Sequence, residues 1–194
     1  MLKKENSIKG FKPLLQKNYG GPNDCTLTSI TAVLNHITNY KNTVQLIYNH
    51  VETIAQNNFY EIDGNGTWYP AIRTIFNESA KKYTKKTSCV NYGKGIGYDY
   101  DYIKKEIDEG NPIVLSMHSD GLDGYKNHSV TIVGYKDYGD AKMIQIYDNW
   151  HSSHSYIDYD KISIISSTHC LCSKSYPILD WLWKLLVSIF GKKR

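Results

Sequence analysis

Three runs in the first half of the chain carry apolar residues at spacings of three and four, the signature of a helix with one buried face. Leu27, Ile30, Leu34 and Ile37 follow Asp24, a residue type suited to a helix N-cap, and predict a helix from about Cys25 to Ile37. Val44, Ile47, Val51 and Ile54 predict a second over Thr43 to Gln56. Phe59 to Tyr69 reads as a glycine-bearing loop. Pro70 suits the first turn of a third helix, whose inner face would carry Ile72, Ile75, Phe76 and Tyr83. The pattern then changes. Thr87 to Tyr92 reads as a short strand, Gly93, Gly95 and Gly97 as a turn, and Tyr100 to Glu109 as a helix stopped by Gly110. The apolar runs Ile113 to Met117 and His128 to Tyr135 read as strands. Asp137-Tyr138-Gly139-Asp140 is a turn, so Met143 to Tyr147 should return as a hairpin partner, and Tyr156 to Tyr159 and Ile162 to Ile165 should complete the sheet. Helices first and antiparallel strands later imply an α+β fold.

The 194 residues suffice for one domain, expected over 1–177, with a short appendage over 178–194. Lys and Arg total 23 against 19 Asp and Glu. Most of that excess sits in the appendage (Lys184, Lys192, Lys193 and Arg194 against Asp180), so the body lacks the clustered basic face that nucleic acid demands. No apolar run reaches the ~20 residues that span a bilayer. The start, Met1-Leu2-Lys3-Lys4-Glu5-Asn6, lacks the apolar stretch of a secretory signal, and a cytoplasmic location is the expectation.

Four cysteines, Cys25, Cys89, Cys170 and Cys172, are too few for a disulfide scaffold. Cys170 and Cys172 with His169, and His151 with His154, lack the further ligands of a structural zinc site, so neither a metal nor a cofactor is expected.

Chemistry points first to Cys25, where the turn-forming run Gly20-Gly21-Pro22-Asn23-Asp24 gives way to an amphipathic helix. Unpaired N–H groups and the macrodipole at a helix start favour thiolate over thiol. A buried structural cysteine is the alternative. His128 opens an apolar strand directly after a polar loop, and Asp148 ends the next strand, followed by Asn149 and Trp150. If those strands pair through the turn near Gly139, His128 and Asp148 come about level at one end. The carboxylate would then hold the imidazole facing Cys25. Trp150 is placed either to shield that bond or to fill the core. His118, ending the preceding strand, is a rival base.

The order Cys25, His128, Asp148 on helix, strand and strand resembles the papain-like cysteine peptidases. Their motif Lys-Asn-Gln-Gly-Ser-Cys-Gly-Ser-Cys aligns without gaps on 17–25, and their Asn-Ser-Trp falls on Asp148-Asn149-Trp150. The short spacing, Asp24-Cys25 at the helix start, Gly110-Asn111-Pro112 leading into the Ile113 strand, and His128 followed by an apolar run to Gly134-Tyr135 are similar to the bacterial branch that includes the double-glycine leader peptidases. The resemblance, covering about Lys17 to Ile165, implies a papain-like α+β fold in which a helical half carrying the nucleophile packs on an antiparallel sheet. It also implies thiol-dependent hydrolysis of a peptide or amide bond in a peptide or protein substrate. A thiol acyltransferase with the same triad, or a catalytically silent papain-fold binding or membrane-associated protein, is the alternative.

One position departs from the pattern. The family's oxyanion hole uses a glutamine six residues before the cysteine, and Tyr19 stands there. Tyr19 itself, Asn18, Asn23 or Gln16 are the candidate donors. Thr26 follows the cysteine where the family commonly has Gly or Trp, a difference that bears on the substrate cleft.

Ile178 to Phe190 carry a broad apolar surface with Trp181 and Trp183 and a narrow stripe of Asp180, Lys184 and Ser188. This basic amphipathic helix suits either a bilayer interface or packing on the domain.

Overall fold

The computed structural model describes residues 1–58, 60–61, 66–67, 69–117, 122 and 124–172. His118, much of the two loops around it and around residues 62–65, and the whole expected helix at 178–194 lie outside the described residues. The elements follow in the order β1 (Lys4–Ser7), α1 (Cys25–Ile37), α2 (Val44–Gln56), β2 (Tyr60–Glu61), β3 (Gly66–Thr67), α3 (Ile72–Ala80), β4 (Thr87–Tyr92), α4 (Tyr100–Asp108), β5 (Ile113–Met117), β6 (His128–Asp137), β7 (Lys142–Tyr147), β8 (Ser155–Asp158) and β9 (Ser166–Cys172). The fold is α+β, four helices packed on an antiparallel sheet ordered β4-β9-β5-β6-β7-β8, with β1 beside the far half of β6.

Apolar spacing places the helices well. On α1, ten consecutive residues from Thr26 to Asn35 are buried, because the helix is covered on all sides once it enters the molecule. On α2 the inner stripe is Ile47, Tyr48, Val51 and Ala55, rotated slightly from the predicted one so that Val44 and Ile54 are only half-buried. The third helix follows a 3-10 turn at Tyr69–Ala71, and Tyr83 lies beyond its end.

Two core regions meet on opposite faces of the sheet. One face, through Val114 and Leu171, meets α1, α2 and α3 around Leu27, Ile30, Ile75 and Phe76. The other meets α4, where Ile103 and Ile107 pack on Ile113, Leu115, Val130 and Ile132. Strand alternation produces this division, since neighbours along β5 and β6 point to opposite faces.

Two strands depart from expectation. Ile162 to Ile165 is irregular, with Ile164 and Ile165 exposed, and the strand begins only at Ser166. This strand, β9, is central, between β4 and β5. Its polar run Ser166-Ser167-Thr168-His169 carries no apolar alternation, and it is buried because neighbours cover both of its faces. Likewise β1 is exposed along its whole length and is held by pairing with residues 134–137 of β6, which no apolar pattern announces. Cys89 on β4 is disulfide-bonded, while Cys25 and Cys170 are free thiols. Among the described residues no helix is long and apolar enough to cross a membrane.

Candidate active site

The start of α1, the first residue of β6 and the turn after β7 converge at one seam. Cys25 is the first residue of α1 and is partly exposed, whereas the ten residues after it are buried. Its Sγ accepts the backbone N–H of Ser129 at 3.4 Å. Asp24 does not cap the helix with its side chain. Its buried carboxylate instead accepts the Tyr48 hydroxyl at 2.6 Å and the Gly21 N–H at 2.5 Å, folding the approach turn onto α2.

His128 is 5% exposed. Its Nε2 lies 2.8 Å from the main-chain carbonyl oxygen of Asp148. A carbonyl only accepts, so Nε2 carries the hydrogen and the neutral ring keeps its lone pair on Nδ1. The ring stacks on Trp150 at 4.0 Å between centroids, and Tyr125 stacks against both at about 6 Å. Trp150 remains 46% exposed, a cover over the imidazole rather than a core residue.

The Asp148 carboxylate does something else. Its Oδ1 accepts the backbone N–H groups of Trp150 at 3.0 Å and His151 at 2.9 Å, and its Oδ2 accepts His151 Nδ1 at 2.7 Å. The expected bond from the carboxylate to His128 is therefore replaced by one from the same residue's carbonyl. The register explains this. The hairpin turn closes one residue later than the expected Asp137–Asp140, with the Tyr138 N–H bonded to the Ala141 carbonyl and Asp137 facing Lys142, and a bulge between Ile132 and Gly134 recovers only one residue of that offset. Thr131 then faces Tyr147, so continuing the ladder sets Asp148 beside Val130 and two residues short of His128.

Asn149 joins the pieces. It is buried, with a φ of 67°, and its Nδ2 faces the Cys25 carbonyl at 3.1 Å, Ser29 Oγ at 2.8 Å and the Ser129 carbonyl at 2.9 Å. Its own carbonyl accepts the Gln16 N–H at 2.9 Å. Gln16 is 4% exposed and donates from Nε2 to the Gly21 carbonyl at 2.7 Å. Of the four candidate oxyanion donors, Gln16 is the buried one; Asn18 and Asn23 are exposed, and Tyr19 packs its ring against Tyr48. Behind the sulfur, Thr26, Ser129 and Ser116 link their hydroxyls at 2.8 Å each.

Burial dominates the protonation states. It pushes the Cys25 thiol above its ordinary value, against the Ser129 N–H and the Thr26 groups that pull it down and opposite in direction to the effect of a helix start. Burial likewise pushes His128 below the ordinary imidazole value, opposed by the Asp148 carbonyl and charge. For Asp148 burial pushes up, but the His151 ring and the N–H groups of His151 and Trp150 together hold the carboxyl below its usual range.

The remaining candidates have other partners. His154 packs edge-on against Tyr147 and Tyr156, His169 Nε2 meets Ser167 Oγ at 2.7 Å, and Cys170 meets the Tyr102 hydroxyl at 3.0 Å.

A model of the Peptidase_C39 like family matches residues 8–168, which include every residue of this seam. The chain belongs to that family. Its fold is shared with papain-like cysteine peptidases: it aligns on a mite allergen of the Blo t 1 and Der p 1 pair with a TM-score of 0.53 and 12% identity, covering 89% of this chain and 72% of that one. It also aligns on digestive procathepsin L 3 of the Tenebrio molitor larval midgut, with a TM-score of 0.50 and 12% identity over 86% and 69% of the two chains. No curated protein matches. The family match and the shared fold support a cysteine peptidase at family level.

Proposed function

We propose that the protein hydrolyses a peptide or amide bond with Cys25 as nucleophile and His128 as general base. The observation that carries this reading is the fixed tautomer of His128: Nε2–H is committed to the Asp148 carbonyl beneath Trp150, leaving Nδ1 as a base one residue away from the peptide that touches the Cys25 sulfur.

The resting pair is thiol and neutral imidazole. As sulfur attacks the substrate carbonyl carbon, its proton passes to Nδ1, and the carbonyl electron pair becomes an oxyanion. The Cys25 N–H at the start of α1 faces that charge, with the remaining Nε2 hydrogen of Gln16 as the second donor. Collapse of the intermediate expels the amine, which takes the proton from Nδ1, and leaves a thioester. Water, losing its proton to Nδ1, then attacks the thioester and releases the acid and the thiol.

Iodoacetamide tests the pair directly. Cys25 should be alkylated faster than Cys170, and His128→Ala should remove that advantage while leaving Cys170 unchanged. Peptide hydrolysis should disappear in Cys25→Ala. Slow labelling of both thiols, unaffected by His128→Ala, would favour the second reading, a silent papain-fold binding protein. That reading draws on the thiol's upward shift and on tyrosine at position 19.

A further inference from the structure

We infer that His151 is a positioning residue for His128: by holding the Asp148 carboxylate it locks the turn 148–151, so that the Asp148 carbonyl, and not its carboxylate, orients the catalytic ring. This rests on the reading of Cys25 and His128 as nucleophile and base.

Three bonds on one carboxylate carry the argument. His151 donates from its ring Nδ1 at 2.7 Å and from its backbone at 2.9 Å, and Trp150 donates from its backbone at 3.0 Å. The carboxylate is almost wholly buried, while the His151 side chain is 67% exposed, so the imidazole closes the turn from the solvent side. Tyr125, stacked over His128 and Trp150, also sets its hydroxyl toward the same carboxylate. Within the turn Asn149 is left-handed and anchored to α1 and β6. Its neighbours are thereby directed: the Asp148 carbonyl toward His128 Nε2 at 2.8 Å, the Trp150 ring onto the imidazole face at 4.0 Å. An acceptor that is main chain can be re-aimed only by moving the turn, and the His151–Asp148 bond is what resists that movement.

The test compares the wild type with Asp148→Asn, His151→Ala, their double mutant, His151→Asn and His128→Ala. The readout is the second-order rate of Cys25 alkylation by iodoacetamide, with melting temperatures recorded alongside. Loss of the clamp should slow alkylation about ten- to hundredfold in each single variant, the range expected when a reacting group is misplaced. The double mutant should be no slower than either single, because the two act as one unit. His151→Asn, whose amide nitrogen sits where Nδ1 did, should restore most of the rate.

If the carboxylate itself held His128, Asp148→Asn would cost about ten-thousandfold, as loss of the corresponding carboxylate does in a serine triad, and His151→Ala would match the wild type. Either result overturns the inference and leaves the reading of Cys25 and His128 standing. Should His128→Ala alkylate at the wild-type rate, that reading fails and the positioning role with it. A measurement on the wild type alone guards against variants that do not fold. In a two-bond proton–nitrogen spectrum, His151 should carry hydrogen on Nδ1, and a neutral His151 protonated only on Nε2 overturns the inference.

Discussion

At the scale of single residues, the chemistry turns on where one proton sits. Burial raises the Cys25 thiol and lowers the His128 imidazole, and both shifts favour the uncharged pair. The pH profile of Cys25 alkylation should therefore rise through an inflection above the ordinary thiol value of about 8.5. A preformed ion pair would instead give a plateau already at pH 5, and such a plateau would refute the neutral pair. Asn149 is the other decisive residue. Removing its amide deletes the bonds to the Cys25 and Ser129 carbonyls and to Ser29 Oγ, while the Ser129 carbonyl keeps the Ser29 hydroxyl at 3.4 Å, a loss of about 1–3 kcal/mol in all. Urea unfolding should show that loss in Asn149→Gly, and about 1 kcal/mol more in Asn149→Ala, because a φ of 67° suits glycine and strains alanine.

Among the elements, β6 decides the geometry. It pairs with β5 and β7 at its start and with β1 and β7 farther along, and the bulge between Ile132 and Gly134 lies where those partners change. A Cβ at Gly134 would meet the Asn6 main-chain oxygen at 2.8 Å, too close for ordinary packing. Gly134→Ala should cost about 1–3 kcal/mol, as overpacking does, and should free the amides of β1 to exchange with solvent before those of β5. Equal exchange in both strands would show that β1 depends on something other than this approach. The elements that sequence located closely, α1, β4 and β5, combine strong periodicity or a continuous apolar run with clear stop signals. The hydroxyl-rich β9 was hidden because its serines face partners supplied by other strands: Ser167 lies across from Ser116, which lies across from Ser129 beside the nucleophile.

For the whole molecule, the site is a seam between the α1 end of the helical half and the open end of the sheet, so its chemistry depends on global packing. Acid should loosen that packing early. His169 is wholly buried, and desolvation, aided by the nearby Arg73 charge, pulls it down to about 3. The unfolded chain binds a proton at about 6.5, so stability is fully present above that pH and is lost progressively toward 3. His128 acts in the same direction, and Asp148, whose carboxyl is held low, adds a further loss below the ordinary carboxylate range. Urea midpoints should fall steadily from pH 7 to pH 4 at constant m-value, and His169→Asn should flatten that slope. An unchanged slope would mean that His169 is not buried neutral in solution.

Sequence by itself determined the α+β class, the helix that begins on Cys25, the strand that begins on His128 and the presence of Asp148, Asn149 and Trp150 beside them, because periodicity and turn chemistry are local and each motif is contiguous. Only the tertiary structure decided that the hairpin register leaves Asp148 two residues short of His128, that its carbonyl holds the ring while its carboxylate holds His151, and that Gln16 is the buried donor candidate. Those outcomes depend on strand register and on which groups the folded chain brings together, from His151 and Asp148 within one turn to Gln16 and Asn149 in distant segments, and no local pattern of residues encodes which oxygen of one residue a ring on the neighbouring strand will meet.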